Sequence, residues 1–297
     1  RLGDILIAQG KLKAEDLEAV MHGAPTAPRN IAETGLSLPT LLNLMIKAMY
    51  AGGTETPSLI ANLLKLPHRV VQLLIEQAQE RKLLDVLGAA AGGGVGELRY
   101  ALAEKGRRWA MDALAQNQYI GPAPVSLAAY IDRIQRQRIT NERVDRQAIE
   151  YAFANMVVSE PFVHQIGPAI NSGRSILLYG APGNGKTSIA EKVGGIFSDV
   201  IYIPHCFEVE SQIIKVFDPG IHKFVQRSAG EGHSRATGLR REDFDRRWVP
   251  ARRPFIVTGG ELTLEMLDLS FNSLAKFYEA PLHVKALGGT FVIDDFG

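Results

Sequence analysis

The eight residues Gly180-Ala-Pro-Gly-Asn-Gly-Lys186-Thr187 constrain this chain more than any other stretch. They follow an apolar run, Ser175 to Tyr179, and open a helix-forming stretch, so strand, glycine loop and helix are expected in that order. Glycines at 180, 183 and 185 let the backbone curl until its N–H groups face one concavity suited to phosphate oxygens. The helix expected over 185–197 adds the positive end of its dipole. Lys186 supplies a cation for the terminal phosphates of a nucleotide, and Thr187 a hydroxyl for Mg2+. Gly180, Ala181, Pro182, Gly183, Asn184, Gly185, Lys186, Thr187 and Ser188 are therefore the candidate nucleotide-binding residues.

Hydrolysis of a nucleotide needs a second, acidic element. Residues 286–297, ALGGTFVIDDFG, carry an apolar run that ends in Asp294-Asp295. A buried parallel strand reads as such a run, and its carboxyl end faces the phosphate side of an α/β sheet. Asp294 is expected to hold Mg2+ with Thr187, and Asp295 to polarise the attacking water. Lys186 and Asp295 are the catalytic candidates, with ATP and Mg2+ as cofactors.

Taken together, GAPGNGKT and the downstream GGTFVIDD resemble the AAA+ ATPases over residues 151–297. The second block is similar to the GGTLFLDE stretch of bacterial enhancer-binding ATPases and related chaperone-like proteins. The resemblance makes Gly180–Thr187 the Walker A loop and Asp294 the magnesium aspartate. The family usually has glutamate where this chain has Asp295, and helicase-loader ATPases resemble the Asp-Asp version. It implies an α/β P-loop domain, a parallel sheet flanked by helices, with strand order 5-1-4-3-2. This chain supplies strands 1, 2 and 3. Strand 4, the sensor residues, the arginine finger and the helical lid are expected beyond Gly297. It also implies an ATP-hydrolysing enzyme that works as a ring-shaped homo-oligomer and remodels or assembles a protein partner.

Lys186 and Asp294 are 108 positions apart, longer than a compact core of that family needs. The surplus is expected in 207–258, where a polar, irregular stretch reads as a mobile loop, with a substrate-contacting insertion as the alternative. Its arginines 240, 241, 246, 247, 252 and 253 alternate with acids for part of the run, which suggests a solvated face or a basic contact surface.

Residues 31–115 have the rhythm of a winged helix. Helices are expected after Ser37, Thr56 and Pro67, then strands at 83–87 and 98–102 around a glycine-rich tip, then a closing helix. Over 38–115 there are nine Lys and Arg against seven Asp and Glu, a weak basic footprint for a DNA reader. Protein contact and DNA binding both stay open, and with DNA the alternative of a transcriptional regulator or helicase loader. Residues 1–30 read as short amphipathic helices with a Pro- and Gly-bearing linker, and 116–150 as a connector. The start of the chain is similar to a half-repeat of the N-terminal domain of type II secretion and type IV pilus ATPases. In some members that domain binds cyclic di-GMP through paired motifs. Here Arg1, Leu2, Gly3, Leu6, Gly10 and Leu17 match one copy, which leaves a cyclic di-GMP half-site or a small docking module.

Composition narrows the setting. The formal charge is +1, no apolar run approaches the roughly 18 residues of a membrane span, and the first twenty residues do not read as a leader. The one cysteine, Cys206, gives no internal disulfide and reads as a small buried residue. A cytoplasmic setting is expected.

Overall fold

The computed structural model describes residues 23–89, 97–197, 199–225 and 244–294. The half-repeat residues from Arg1 to Leu17, the glycine-rich tip at 90–96, Arg240, Arg241 and Asp295 lie outside the described residues. The fold is mixed α/β.

The described α-helices begin with α1 (Leu38–Gly52), α2 (Pro57–Leu64) and α3 (His68–Glu80). The Ser37 and Thr56 hydroxyls accept the Thr40 and Leu59 N–H groups at 3.2 and 3.3 Å, satisfying donors that have no partner within the helix. Leu41, Leu42, Leu44, Met45, Ile46, Ala48 and Met49 are all buried, because neighbours enclose α1 on nearly every side. An antiparallel pair follows, β1 (Leu84–Ala89) with β2 (Leu98–Leu102), and α4 (Glu104–Gln116) closes against α1. The Trp109 indole donates to Asn43 Oδ1 at 2.6 Å across that contact.

The described part of the segment read as a linker, from residue 23 on, is held against the rest of the chain. Pro25 and Pro28 are buried, and the Asp245 N–H donates to the Pro25 carbonyl at 2.8 Å. Proline rings without N–H groups pack there at no hydrogen-bonding cost. The connector stretch contributes β3 (Val125–Ser126), α5 (Leu127–Arg136) and most of α6 (Arg146–Ala152), and buries Val125 and Tyr130. Next come α7 (Glu160–Asn171) and α8 (Lys186–Gly195).

After α8 the chain turns to short strands: β4 (Val200–Pro204), β5 (Cys206–Val209), β6 (Gln212–Lys215), β7 (Trp248–Arg252) and β8 (Phe255–Thr258). Then come β9 (Ser270–Asn272), β10 (Phe277–Glu279), the one-turn helix α9 (Leu282–Lys285) and β11 (Thr290–Ile293). Four of them join β3 in a mixed sheet in the order β3-β5-β6-β10-β9, while β4 pairs antiparallel with β7 and β8 parallel with β11. The polar stretch read as a loop within 207–258 is corrected only at its described end, where β7 forms and Trp248, Val249 and Ala251 are buried; residues 226–243 lie outside the described residues.

A second correction concerns the strand before the glycine loop. Residues 175–179 join no ladder, and Leu177 and Tyr179 are 81% and 90% exposed. A parallel strand owes its order to neighbours on both edges, and no described strand pairs with this run. Among the described residues β8 with β11 is the one all-parallel sheet, and the mixed sheet adds two parallel pairs, β3 with β5 and β6 with β10.

Three apolar clusters hold the elements together. The first is centred on α1 and reaches across to Cys206 and Ile213. The second joins β4, β5 and β7 to Val125 and Tyr130. The third packs Val144, Ile149, Phe153, Ile166 and Ile170 against Ile189 and Val193 of α8, and so supports the glycine loop from below.

Candidate functional site

The loop before α8 turns on two glycines. Gly183 and Gly185 have φ of 82° and 71°, left-handed values at which a side chain would be strained. Gly185 is the N-cap of α8, whose first turn carries Lys186, Thr187 and Ser188. Lys186 Nζ folds back over the loop, donating to the Gly180 and Ala181 carbonyls at 3.2 and 3.3 Å. The loop and the first turn of α8 are exposed or half-buried.

β11 brings the acid. Thr290 to Ile293 pair with Phe255 to Thr258, and the Asp294 N–H extends the ladder to the Thr258 carbonyl at 2.7 Å. The buried Thr258 hydroxyl donates to the Val292 carbonyl at 3.2 Å, which fixes the end of the register. Held this way, the Asp294 carboxylate accepts the Thr187 hydroxyl at 2.7 Å. The structure therefore brings Lys186, Thr187 and Asp294 to one place. Two neighbouring oxygen donors fit Mg2+, which takes one or two protein oxygens and completes its shell with water and phosphate. Among the described residues no group of three or more His, Cys, Asp or Glu forms an alternative metal site.

The arginines read as solvated or surface groups divide. Arg246 donates to Asn62 Oδ1 at 3.1 Å and Arg252 is exposed. Arg247 and Arg253 are 4% and 8% exposed, which corrects the expectation. Arg247 forms a fork with Asp245 and donates to the Thr34 and Pro124 carbonyls. Arg253 grips both Asp199 oxygens at 2.6 and 2.7 Å and donates to the Gln137 and Gly288 carbonyls. A guanidinium whose donors are filled tolerates burial, and alternation of charge along the sequence does not reveal that. Gln137 was missed as well: its amide exchanges two hydrogen bonds with the Tyr202 backbone, at 2.7 and 3.1 Å. A lone glutamine in a polar stretch carries no signal for such a role.

Cys206 is buried, and burial pushes its thiol up to about 12, so it stays protonated and donates to Tyr119 Oη at 3.2 Å. Phe277 packs edge-on to Tyr119 at 5.6 Å, and Tyr278 lies against Phe271 at 4.9 Å. Among the described residues no helix is long and apolar enough to cross a membrane. Comparison with known protein families gives no matching family model, and no curated protein matches the chain.

Proposed function

We propose that the chain is an ATP-hydrolysing module of the AAA+ type that rearranges a protein partner. One observation carries the reading: the glycine loop's Thr187 and the strand-end Asp294 meet at 2.7 Å. In this reading the loop's N–H groups and Lys186 bind the β- and γ-phosphates of ATP, and Thr187 with Asp294 holds Mg2+. The bound ion supplies charge neutralisation at the phosphates. Asp295 orients the attacking water, one methylene shorter than the glutamate usual in the family. Assembly into a ring and a cytoplasmic setting belong to the same proposal.

The test is the ATPase rate of the full chain over a range of protein concentrations, with Lys186→Ala beside it. A rate per subunit that rises with concentration and vanishes in the variant supports a self-assembling ATPase. A variant with the full rate overturns the assignment.

The order of three helices, hairpin and closing helix favours a winged-helix unit, and with it a second reading in which that unit binds duplex DNA. The outward side of α3 argues for a protein instead. At 100° per residue His68, Arg69, Gln72, Glu76 and Glu80 share one face, so two acids stand among the basic groups. Leu59, Val86, Leu87 and Leu98 are exposed on the neighbouring helix and hairpin, as suits protein contact. A steep fall of duplex affinity with salt would restore the DNA reading.

A further inference from the structure

Resting on the nucleotide reading, we infer that Arg253 is a positioning residue for the magnesium pair. It holds Thr187 and Asp294 in register from the far ends of the elements that carry them. The Arg253 side chain is 2% exposed, with four donor contacts spread over three segments. Each segment has a defined place relative to the site. Asp199 lies four residues beyond the end of α8, the helix whose second residue is Thr187. Gly288 lies two residues before β11, the strand that delivers Asp294. Gln137 caps α5 and is itself locked to β4. Arg253 stands two residues before β8, on which β11 takes its register.

One guanidinium thus grips the exit of α8 and the entry of β11 at the point where β8 begins. Two glycines tighten the same junction. A Cβ on Gly194 would lie 2.2 Å from the Phe255 ring, so α8 rests directly on the start of β8. A Cβ on Gly289 would lie 2.0 Å from the Pro254 carbonyl, so β11 enters flush against the residue after Arg253. From this junction α8 spans about 15 Å and the stretch from Gly288 to Asp294 about 20 Å. A pivot error of about 3° over such arms displaces their tips by about 1 Å, the scale at which catalytic geometry fails.

Arg247 is the internal control. It is equally buried and equally well hydrogen-bonded, but its partners Asp245, Thr34 and Pro124 tie the start of β7 to the segments that lead into α1 and β3. Loss of either arginine removes a buried charge. Only loss of Arg253 frees the arms that end at Thr187 and Asp294.

The experiment measures ATP affinity of the full chain by calorimetry, with Mg2+ and with a chelator, alongside thermal melting. The variants are Arg253→Met, Arg253→Lys, Asp199→Asn and Arg247→Met. Arg253→Met and Asp199→Asn are expected to lose about tenfold of the magnesium-dependent gain in affinity while keeping the magnesium-free affinity. Arg253→Lys keeps the charge but cannot serve three segments, so it loses part of the gain. Arg247→Met melts earlier and keeps the gain. Should Arg253→Met fail to fold, Arg253→Lys and Asp199→Asn decide by the same criterion. An intact gain in the folded Arg253 and Asp199 variants overturns the positioning role, as does an equal loss in Arg247→Met. A wild-type chain that binds ATP in neither condition overturns the nucleotide reading itself, and the role of Arg253 with it.

Discussion

The Thr187 hydroxyl and the Asp294 carboxylate share a 2.7 Å hydrogen bond although 107 positions separate them. One comes from a helix N-terminus and the other from a strand end, and the small β unit inserted between them does not part them. Its strands leave and return at one junction, so the insertion lengthens the chain without displacing the site.

That pair yields the most direct prediction. Asp294→Asn keeps the shape and an acceptor for Thr187 but removes the charge a magnesium ion needs. ATP hydrolysis is expected to fall on the order of 100-fold, with more Mg2+ required for half-maximal rate. A magnesium titration of the ATPase rate checks it, and an unshifted curve at full rate would remove Asp294 from the metal site.

Gly289→Ala is expected to destabilise the chain by about 2 kcal/mol, because the new methyl meets a backbone carbonyl that cannot turn aside. Gly260→Ala is the comparison, since a Cβ there meets nothing within 4 Å. Urea unfolding of both distinguishes them. Equal midpoints would show that the junction of β8 and β11 is looser than its packing suggests.

Much of the helical half was legible in the sequence because its signals are local. Ser37 with Pro39, Thr56 with Pro57, and the apolar spacing after Pro67 each announce a helix from residues within one turn. The glycine loop was legible for the same reason, since Gly183 and Gly185 need their left-handed φ whatever surrounds them. The β unit was not. Its strands are three to five residues long and draw order from partners far away, as β6 does from β10 and β4 from β7. Arg253 was hidden because its three partners, Gln137, Asp199 and Gly288, come from three distant segments. Nor could the run 175–179 be judged locally, because its apolar residues satisfy a strand pattern whether or not a neighbour pairs with it.

Arg247→Met is expected to cost about 4 kcal/mol, since it strands the buried Asp245 carboxylate and frees two carbonyls, Thr34 and Pro124. Pairing it with Asp245→Leu removes the stranded charge, so the double variant is expected to be more stable than Arg247→Met alone. A double variant that loses the sum of both single changes would mean that the ion pair contributes nothing as a pair.

Lys47 makes stability depend on alkaline pH. Its side chain is buried and its ammonium donates to the Asn117 carbonyl at 2.9 Å, and burial pulls its pKa from 10.5 down to about 8. A lysine with a lowered folded pKa favours the uncharged amine in the folded state. Below about pH 8 the group is charged in both states, and the penalty, on the order of 3 kcal/mol, applies in full. Between about 8 and 10.5 the folded chain gives up this proton first, so the penalty fades as pH rises. Lys47→Met carries no such penalty but leaves the Asn117 carbonyl without its donor. Other titrating groups are common to both chains and cancel in the difference. Urea unfolding at pH 7 and pH 10 is therefore expected to show the stability gap moving in favour of the wild-type chain at the higher pH. A gap that stays constant would mean that the folded interior hydrates the ammonium as well as water does.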